Sequence, residues 1–287
     1  MATANMKAVR RRIKSVESTK QITKAMQLVA SSKLRKAKEK ADAVQPFFNT
    51  LYETMCDISN DRAIRSMFVA PQFRKTNLLI VIAGDRGLAG GFNHNVLKLA
   101  QARCEEIIAS GNKVKIIAIG KKSIEFFEKR GYDIKLTYSG IFDNTEQSVL
   151  DEMSSYIMTN MKLQEIGSVE LVYTTFVSTL KQEPLNVKVL PIDTLSNDKS
   201  AKGITIYEPS EEELFESLIP QYLNGIVYSA IVDSYASELA ARRNAMESAT
   251  DNADAMINDL SLMYNRARQA QITQELTEIM SGTLRNN

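Results

Sequence analysis

The chain has 287 residues, of which 44% are hydrophobic and 24% are charged, and its formal net charge is +2. This composition excludes a disordered chain, and no stretch approaches the roughly 20 consecutive apolar residues that a membrane-spanning helix requires. The two cysteines, Cys56 and Cys104, lie far apart without metal-ligand spacing, so we expect both to be reduced thiols.

The first predicted element is a long basic helix over residues 5–58, which contain no glycine and one proline, Pro46. Its apolar residues recur at steps of three and four, as in coiled coils, at Met6, Val9, Ile13, Val16, Ile22, Met26 and Val29. Pro46 is expected to kink or interrupt this helix. Between residues 7 and 40 twelve basic residues accompany only Glu17 and Glu39. This arm is either the solvated face of a coiled coil or a docking surface for acidic protein loops.

The middle of the chain alternates between short β-branched runs and helical patterns. The predicted strands cover 77–84, 113–120, 133–138, 168–177 and 184–192, and the predicted helices cover 94–109, 121–130 and 145–164. Alternating strands and helices predict a mainly parallel sheet with helices on both faces, which is a Rossmann-like α/β domain.

A second long helical region follows an exposed connection at residues 193–209. Pro220 is expected to divide a short helix from a very long one that ends near Gly282. The predicted seam of the long helix has alternating steps of four and three: Tyr235, Leu239, Arg242, Met246, Ala249, Ala253, Met256, Leu260, Met263, Ala267 and Ala270. This period predicts a left-handed coiled coil, and its small residues permit close helix approach.

The two long helices predict a mixed α and β architecture in which they pair. Neither can bury its apolar stripe alone, so we expect an antiparallel two-helix coiled coil made of residues 1–58 and 210–287. The α/β domain, residues 75–195, is inserted between the two arms through connecting segments at 59–74 and 196–209.

The segment "IAGDRGLAGGFN", residues 82–93, follows the first strand and invites comparison with phosphate-binding loops. Its glycine spacing fits neither G-x-G-x-x-G nor the P-loop pattern. We therefore expect a tight strand-to-helix turn in which Asp85 and Asn93 hydrogen-bond to backbone, with Arg86 as a candidate contact for a partner carboxylate. The only histidine, His94, is expected to be a surface or capping residue. No catalytic, cofactor-binding or metal-binding residue is predicted.

Four segments carry a family resemblance along the whole length of the chain. "RRRIKSVESTKQITKAMQLVASSKLRKAK" (10–38), "DRGLAGGFN" (85–93), "MESATDNADAMINDL" (246–260) and "RARQAQITQELTEIMSGT" (266–283) resemble the gamma subunit of F-type ATP synthases of the bacterial type. The resemblance implies a central-stalk rotor subunit, one per complex, that turns inside a hexamer of alpha and beta subunits. It would couple transmembrane ion flow to ATP synthesis or hydrolysis on the beta subunits, with no catalytic site or cofactor of its own.

The resemblance also implies partners and contact residues. The partners would be the alpha and beta subunits, the epsilon subunit and the membrane c-ring, which places the chain on the cytoplasmic face of a bacterial plasma membrane without insertion into it. The contacts with beta-subunit lever loops would be Met26, Lys24, Lys33, Arg35, Lys36, Arg86, Arg268, Gln269 and Thr273. An apolar bearing tip would comprise Leu276, Ile279 and Met280, and the foot would contact epsilon and the ring through Tyr207 and Glu208.

The basic arm leaves one alternative open, which is a nucleic-acid-binding coiled-coil protein. A sequence-reading helix would bring Asn, Gln and Arg to one face, whereas these charges flank an apolar seam. We therefore expect no nucleic-acid partner.

Overall fold

The computed structural model describes residues 2–59, 66, 68–69, 75–192 and 211–284. Two long helices enclose an α/β region along the chain, and the elements are α1 (Ala2–Ser59), β1 (Thr76–Ile82), α2 (Phe92–Ala109), β2 (Lys113–Ile119), α3 (Lys121–Glu128), β3 (Asp133–Tyr138), α4 (Gln147–Lys162), β4 (Ser168–Phe176), β5 (Gln182–Leu190) and α5 (Glu211–Leu284). The five predicted strands and the five helical regions are therefore confirmed, with small shifts at their ends. The predicted connection at 193–209 lies outside the described residues.

The strands form one sheet in the order β3-β2-β1-β4-β5. β1 pairs in parallel with β2 and β4, and β2 pairs in parallel with β3, whereas β5 is antiparallel to β4. The predicted mainly parallel sheet is confirmed, and the hairpin to β5 supplies its single antiparallel pair among the described strands. The short β4–β5 connection explains this direction, because a parallel crossover needs a dozen or more residues.

Helices cover both faces of this sheet, as predicted. α2 and α3 pack on one face against alternate residues of the central strands, such as Leu79 and Val81. On the other face α4, the beginning of α5 and the end of α1 pack against Leu78, Ile80 and Ile82. The central strands are continuously apolar because both of their faces are buried.

One buried acid interrupts the apolar pattern of β4. Glu170 is 5% exposed, and it accepts hydrogen bonds from Arg103 Nε at 2.7 Å, Arg103 Nη2 at 2.8 Å and Asn186 Nδ2 at 2.6 Å. Burial alone would raise the pKa of Glu170, but the bonds from Arg103 and Asn186 outweigh it and hold that pKa below its ordinary value. This network connects α2, β4 and β5 through one carboxylate.

The break predicted at Pro220 is wrong, because α5 continues through that residue, and α1 likewise continues through Pro46, where a kink or an interruption was expected. A proline in a helix removes one backbone hydrogen bond, which tertiary packing can offset. Ile219 and Leu223, on either side of Pro220, are buried in the core on one face of the sheet, and Met55 is buried in the same core beyond Pro46. These contacts hold α5 on both sides of Pro220 and α1 beyond Pro46.

The chain divides into two compact units by its internal contacts. Residues 1–31 with 242–287 form one unit, called the helical unit below, and residues 32–241 form the other, called the sheet unit. The domain boundaries expected from the sequence stay a prediction.

Candidate functional site

The carboxyl edge of the sheet is the place where open α/β folds usually bind ligands, at the point where the strand order reverses. Here that point lies between β1 and β4. Part of α5 packs there against the end of β4: Ser234 Oγ accepts from the backbone N–H of Thr174 at 3.1 Å, and Asp233 accepts from the N–H of Phe176 at 2.9 Å. The chain's own helix therefore occupies this crevice.

A buried carboxylate from the same helix lies against the glycine-rich loop. Glu238 is 4% exposed, and its carboxyl oxygens lie 3.0 Å from where a side chain on Gly84 would begin. A phosphate placed at this turn would therefore meet a carboxylate, and like charges repel strongly at such short range. The geometry supports a turn that accommodates α5 rather than a phosphate cradle.

The glycine-rich loop makes the backbone bonds that the sequence predicted. Asn93 accepts from the N–H of Gly84 at 2.8 Å and donates to the carbonyl of Arg86 at 3.0 Å. The Asp85 carboxylate accepts from the N–H groups of Lys121 and Gly140, both at 2.9 Å. The local backbone bonds predicted for Asn93 are confirmed, whereas the Asp85 carboxylate bonds backbone that follows β2 and β3 instead of its own loop.

An acid in the loop after β3 connects both long helices within the sheet unit, which the sequence did not predict. Lys33 on α1 donates to the two carboxylate oxygens of Asp143 at 2.8 and 3.0 Å, and the Tyr235 hydroxyl on α5 donates to one of them. Lys40 donates to the Asp143 carbonyl at 3.1 Å. The hydrogen bonds from Lys33 and Tyr235 hold the pKa of Asp143 below its ordinary value.

In the helical unit, α1 and α5 run antiparallel and meet along a partly polar seam. The Thr23 and Thr250 hydroxyls lie 2.8 Å apart and are buried, and Lys20 pairs with Asp254 at 2.5 Å. Buried polar pairs of this kind specify register between paired helices.

This seam corrects several predicted positions. Between residues 246 and 277, the buried and half-buried positions of α5 are 246, 249, 250, 253, 254, 257, 260, 261, 264, 267 and 271. The predicted Met246, Ala249, Ala253, Leu260 and Ala267 are among them, whereas the predicted Met256, Met263 and Ala270 are exposed. On α1 the predicted Ile22 and Val29 are exposed, while Thr23 and Ala30 are buried. In part of the seam a polar side chain such as Thr23 or Thr250 takes the buried position, while large apolar side chains such as Ile22 and Met256 face outward.

The helical unit consequently presents many large apolar side chains to solvent. Of the fifteen exposed large hydrophobic residues in the described part of the chain, nine lie in this unit: Ile22, Leu28, Val29, Met256, Leu262, Met263, Ile272, Leu276 and Met280. Exposed apolar surface of this extent marks a protein–protein contact region.

The predicted contact residues differ in their surroundings. Exposed side chains are those of Lys24, Lys33, Arg35, Lys36, Arg86, Arg268, Gln269, Thr273, Leu276 and Met280, whereas Met26 is half-buried. Lys33 is engaged by Asp143, and Arg35 has only a 3.9 Å pair with Glu39. Arg86 belongs to the sheet unit, and Arg268 belongs to the helical unit.

Some residues singled out from the sequence lie outside the described part of the chain, and two others are an exposed histidine and a buried cysteine. Tyr207 and Glu208 lie outside the described residues, as does the side chain of Ile279. His94 is exposed near the start of α2, which confirms a surface position, and it does not cap that helix. Cys104 is buried, and burial raises the pKa of its thiol to about 12.

No group of three or more His, Cys, Asp or Glu side chains among the described residues could hold a metal ion. None of the helices, as far as they are described, is long and apolar enough to cross a membrane.

Three acids that connect elements at this edge were missed by the sequence interpretation, Asp143, Asp233 and Glu238. The last two had a signal, because Asp233, Ser234, Ser237 and Glu238 place polar groups on one face of an otherwise apolar part of α5. Asp143 gave no such sequence signal, because it lies in a loop among residues that are typical of loops.

Comparisons with known proteins agree along the whole chain. A family model described as ATP synthase matches residues 5–284. The ATP synthase gamma chain of Ruminococcus albus is 57% identical over 284 residues, covering 99% of each chain, and that of Alkaliphilus metalliredigens is 46% identical, covering 96% of this chain and 97% of the relative. The sodium ion specific gamma chain of Acetobacterium woodii is 40% identical, covering 97% of each.

Solved structures share the fold. A chain of the Euglena gracilis mitochondrial ATP synthase, from its OSCP/F1/c-ring in rotational state 3, matches with a TM-score of 0.69 at 18% identity, over 98% of this chain and 94% of that one. A chain from the rotor of the same enzyme matches with a TM-score of 0.65 at 17% identity, over 94% and 99%. These relatives support the gamma-subunit interpretation and not the nucleic-acid alternative. By sequence along its whole length, the chain belongs to the ATP synthase gamma chain family.

Proposed function

We propose that the chain is the central-stalk rotor subunit of an F-type ATP synthase. It rotates inside a hexamer of alpha and beta subunits and couples transmembrane ion flow to ATP synthesis or hydrolysis on the beta subunits. One copy serves each complex, at the cytoplasmic face of a bacterial plasma membrane, and the epsilon subunit and the c-ring bind its foot at Tyr207 and Glu208.

The observation that carries the proposal is the outward apolar surface of the helical unit. A two-helix coiled coil that stood free in water would place its apolar residues in the seam. Here the seam contains Lys20, Thr23 and Thr250, while Met263 and Leu276 are more than half exposed. Such a shaft is suited to turning within an enclosing set of partner subunits, with Leu276, Ile279 and Met280 as its bearing tip.

Basic side chains supply the second kind of contact. Lys24, Arg35, Lys36, Arg86 and Arg268 are exposed. Ion pairs at such exposed positions contribute about 0–1 kcal/mol each. Contacts of this strength with acidic lever loops of the beta subunits can break and re-form at each rotary step, whereas strong buried pairs would hold one angle. The remaining lever contacts are Met26, Lys33, Gln269 and Thr273.

The chain contributes to catalysis by changing populations rather than by chemistry. An asymmetric shaft contacts each beta subunit differently, so it favours a different conformation, and hence a different nucleotide affinity, at each site. The crevice at the carboxyl edge of its own sheet is occupied by α5 through Asp233 and Ser234. We therefore assign the chain no catalytic site and no cofactor.

Purification of the native assembly tests this proposal. A tag on this chain is expected to recover alpha, beta and epsilon subunits in a fixed ratio to one copy of it, together with ATPase activity. The full chain purified alone is expected to hydrolyse no ATP. Recovery of the chain without nucleotide-binding subunits, or ATP turnover by the chain alone, would contradict the proposal.

A further inference from the structure

A cleft of about 200 Å³ lies within the sheet unit between α1, the loop after β3 and α5. Its charged lining residues are Lys33, Lys36, Lys40 and Asp143. Three ammonium groups and one carboxylate give this small volume a net positive lining.

The charges are not equivalent. Lys33 bonds both carboxylate oxygens of Asp143, so these two groups neutralise each other. Lys40 donates to a backbone carbonyl, which orients its ammonium without neutralising it. Lys36 has no hydrogen bond or ion pair with any residue that the structure describes. Two positive charges therefore remain for an anion.

The rest of the lining is apolar and aromatic. Phe142 and Tyr235 stack with their ring centroids 6.0 Å apart and their planes at 23°, and Ala37 and Val232 line the same cleft. A charge in such a cleft is partly shielded from water, which strengthens its interaction with the lysines.

A second cavity of about 540 Å³ adjoins the cleft, since Thr145 and Tyr228 line both. Its polar lining is made of neutral amides, including Gln147, Gln221 and Asn224. The Oδ1 atom of Asn224 is buried and has no hydrogen-bond donor among the described residues. A buried acceptor left unpaired is costly, so this oxygen is available to accept from a donor group of a ligand in the cavity.

We propose that the two cavities form one binding site for a small phosphate monoester whose neutral body carries N–H donor groups. The dianionic phosphate binds between Lys36 and Lys40, and the body enters the second cavity and donates to Asn224. Lysines bind phosphate as charge-assisted donors, and the volume of the second cavity is in the range of small-molecule sites. The site is independent of the proposed rotor function.

Calorimetric titration of the full chain, free of other subunits, tests the site with three compounds. Adenosine monophosphate provides both parts, and inorganic phosphate and adenosine each provide one. The monophosphate is expected to bind with a dissociation constant below about 1 mM and at least about tenfold more tightly than either fragment. No saturable binding of the monophosphate, or equal binding of inorganic phosphate, would overturn the proposal.

Variants locate the binding. Lys36→Gln and Lys40→Gln are each expected to weaken monophosphate binding by about tenfold or more, since a hydrogen bond to a charged group is lost. Asn224→Leu is expected to weaken it while leaving inorganic phosphate binding unchanged. Lys14→Gln is the matched control, because it removes an exposed lysine of the same helix outside the cleft and should leave both affinities unchanged.

An unchanged affinity in a Lys36→Gln, Lys40→Gln double variant would overturn the site even if the chain binds the monophosphate elsewhere. Circular dichroism of each variant verifies that it is folded. Lys36 is also a proposed lever-loop contact, and the use of the isolated chain separates the two roles.

Discussion

Two substitutions on neighbouring turns of α5 distinguish the observed seam from the pattern that the sequence suggested. Leu260 lies in the seam and is 9% exposed, whereas Met263, three residues later, is 59% exposed. Replacing a buried leucine by alanine costs about 2–5 kcal/mol, and a two-helix seam can partly collapse around the gap, so we expect about 2 kcal/mol for Leu260→Ala. Met263→Ala removes a side chain that is mostly in water already, and we expect less than about 1 kcal/mol.

Native-state hydrogen exchange of the full chain measures both values in the helical unit. Leu260→Ala is expected to speed exchange of the amides of residues 246–264 by about 30-fold, which corresponds to about 2 kcal/mol of lost local stability. Met263→Ala should leave these rates within a few-fold of the unsubstituted chain. Equal acceleration by the two variants would refute the seam assignment, and with it the conclusion that Met263 faces a partner.

Two further predictions concern the sheet unit. Gly120→Ala is expected to destabilise it by more than about 3 kcal/mol in urea unfolding, because φ is +91° and the new Cβ would lie 1.8 Å from the Ala83 carbonyl oxygen. The control Gly131→Ala, at φ +71° in open space, should cost only about 1–2 kcal/mol. Similar costs for the two variants would contradict the close approach at Gly120. Asp143→Asn is expected to remove a small pH-dependent part of the free energy of unfolding. The pKa of Asp143 is lowered on folding, so its contribution is present above its unfolded pKa of about 3.9 and is lost as pH falls through its folded pKa. A variant whose stability has the same pH profile as that of the original chain below pH 5 would contradict the role of Asp143.

The central strands of the sheet were predictable because they are largely buried. Runs such as "NLLIVIAG" and "KVKIIAIG" are β-branched, apolar and end at glycine, and tertiary contacts do not compete with that local preference. The edge strand β3, "DIKLTY", alternates apolar and polar residues and was located correctly as well.

The seam of the helical unit was less predictable for a physical reason. A period of 3.5 residues fits two interleaved sets of positions, and hydrophobicity normally decides between them. Here Thr250 lies in the seam and Met256 lies outside it, the reverse of what hydrophobicity favours. Outward apolar residues are what a shaft with partners requires, and one sequence does not reveal those partners.

The cleft near Asp143 could not be predicted from the sequence at all. Its lining comes from α1, the loop after β3 and α5, which are separated by about a hundred residues at each step. Lys33 is part of the basic arm in the sequence, and only the fold shows that its charge is balanced by Asp143.

Rotation observed in single molecules tests the central claim most directly. Leu180, which is 86% exposed in the β4–β5 turn, can be replaced by cysteine to attach a bead to the chain within an immobilised complex of alpha and beta subunits. On addition of ATP we expect the bead to turn in one direction with stepwise pauses. ATP hydrolysis by the same complexes with a bead that never turns would contradict the rotor function.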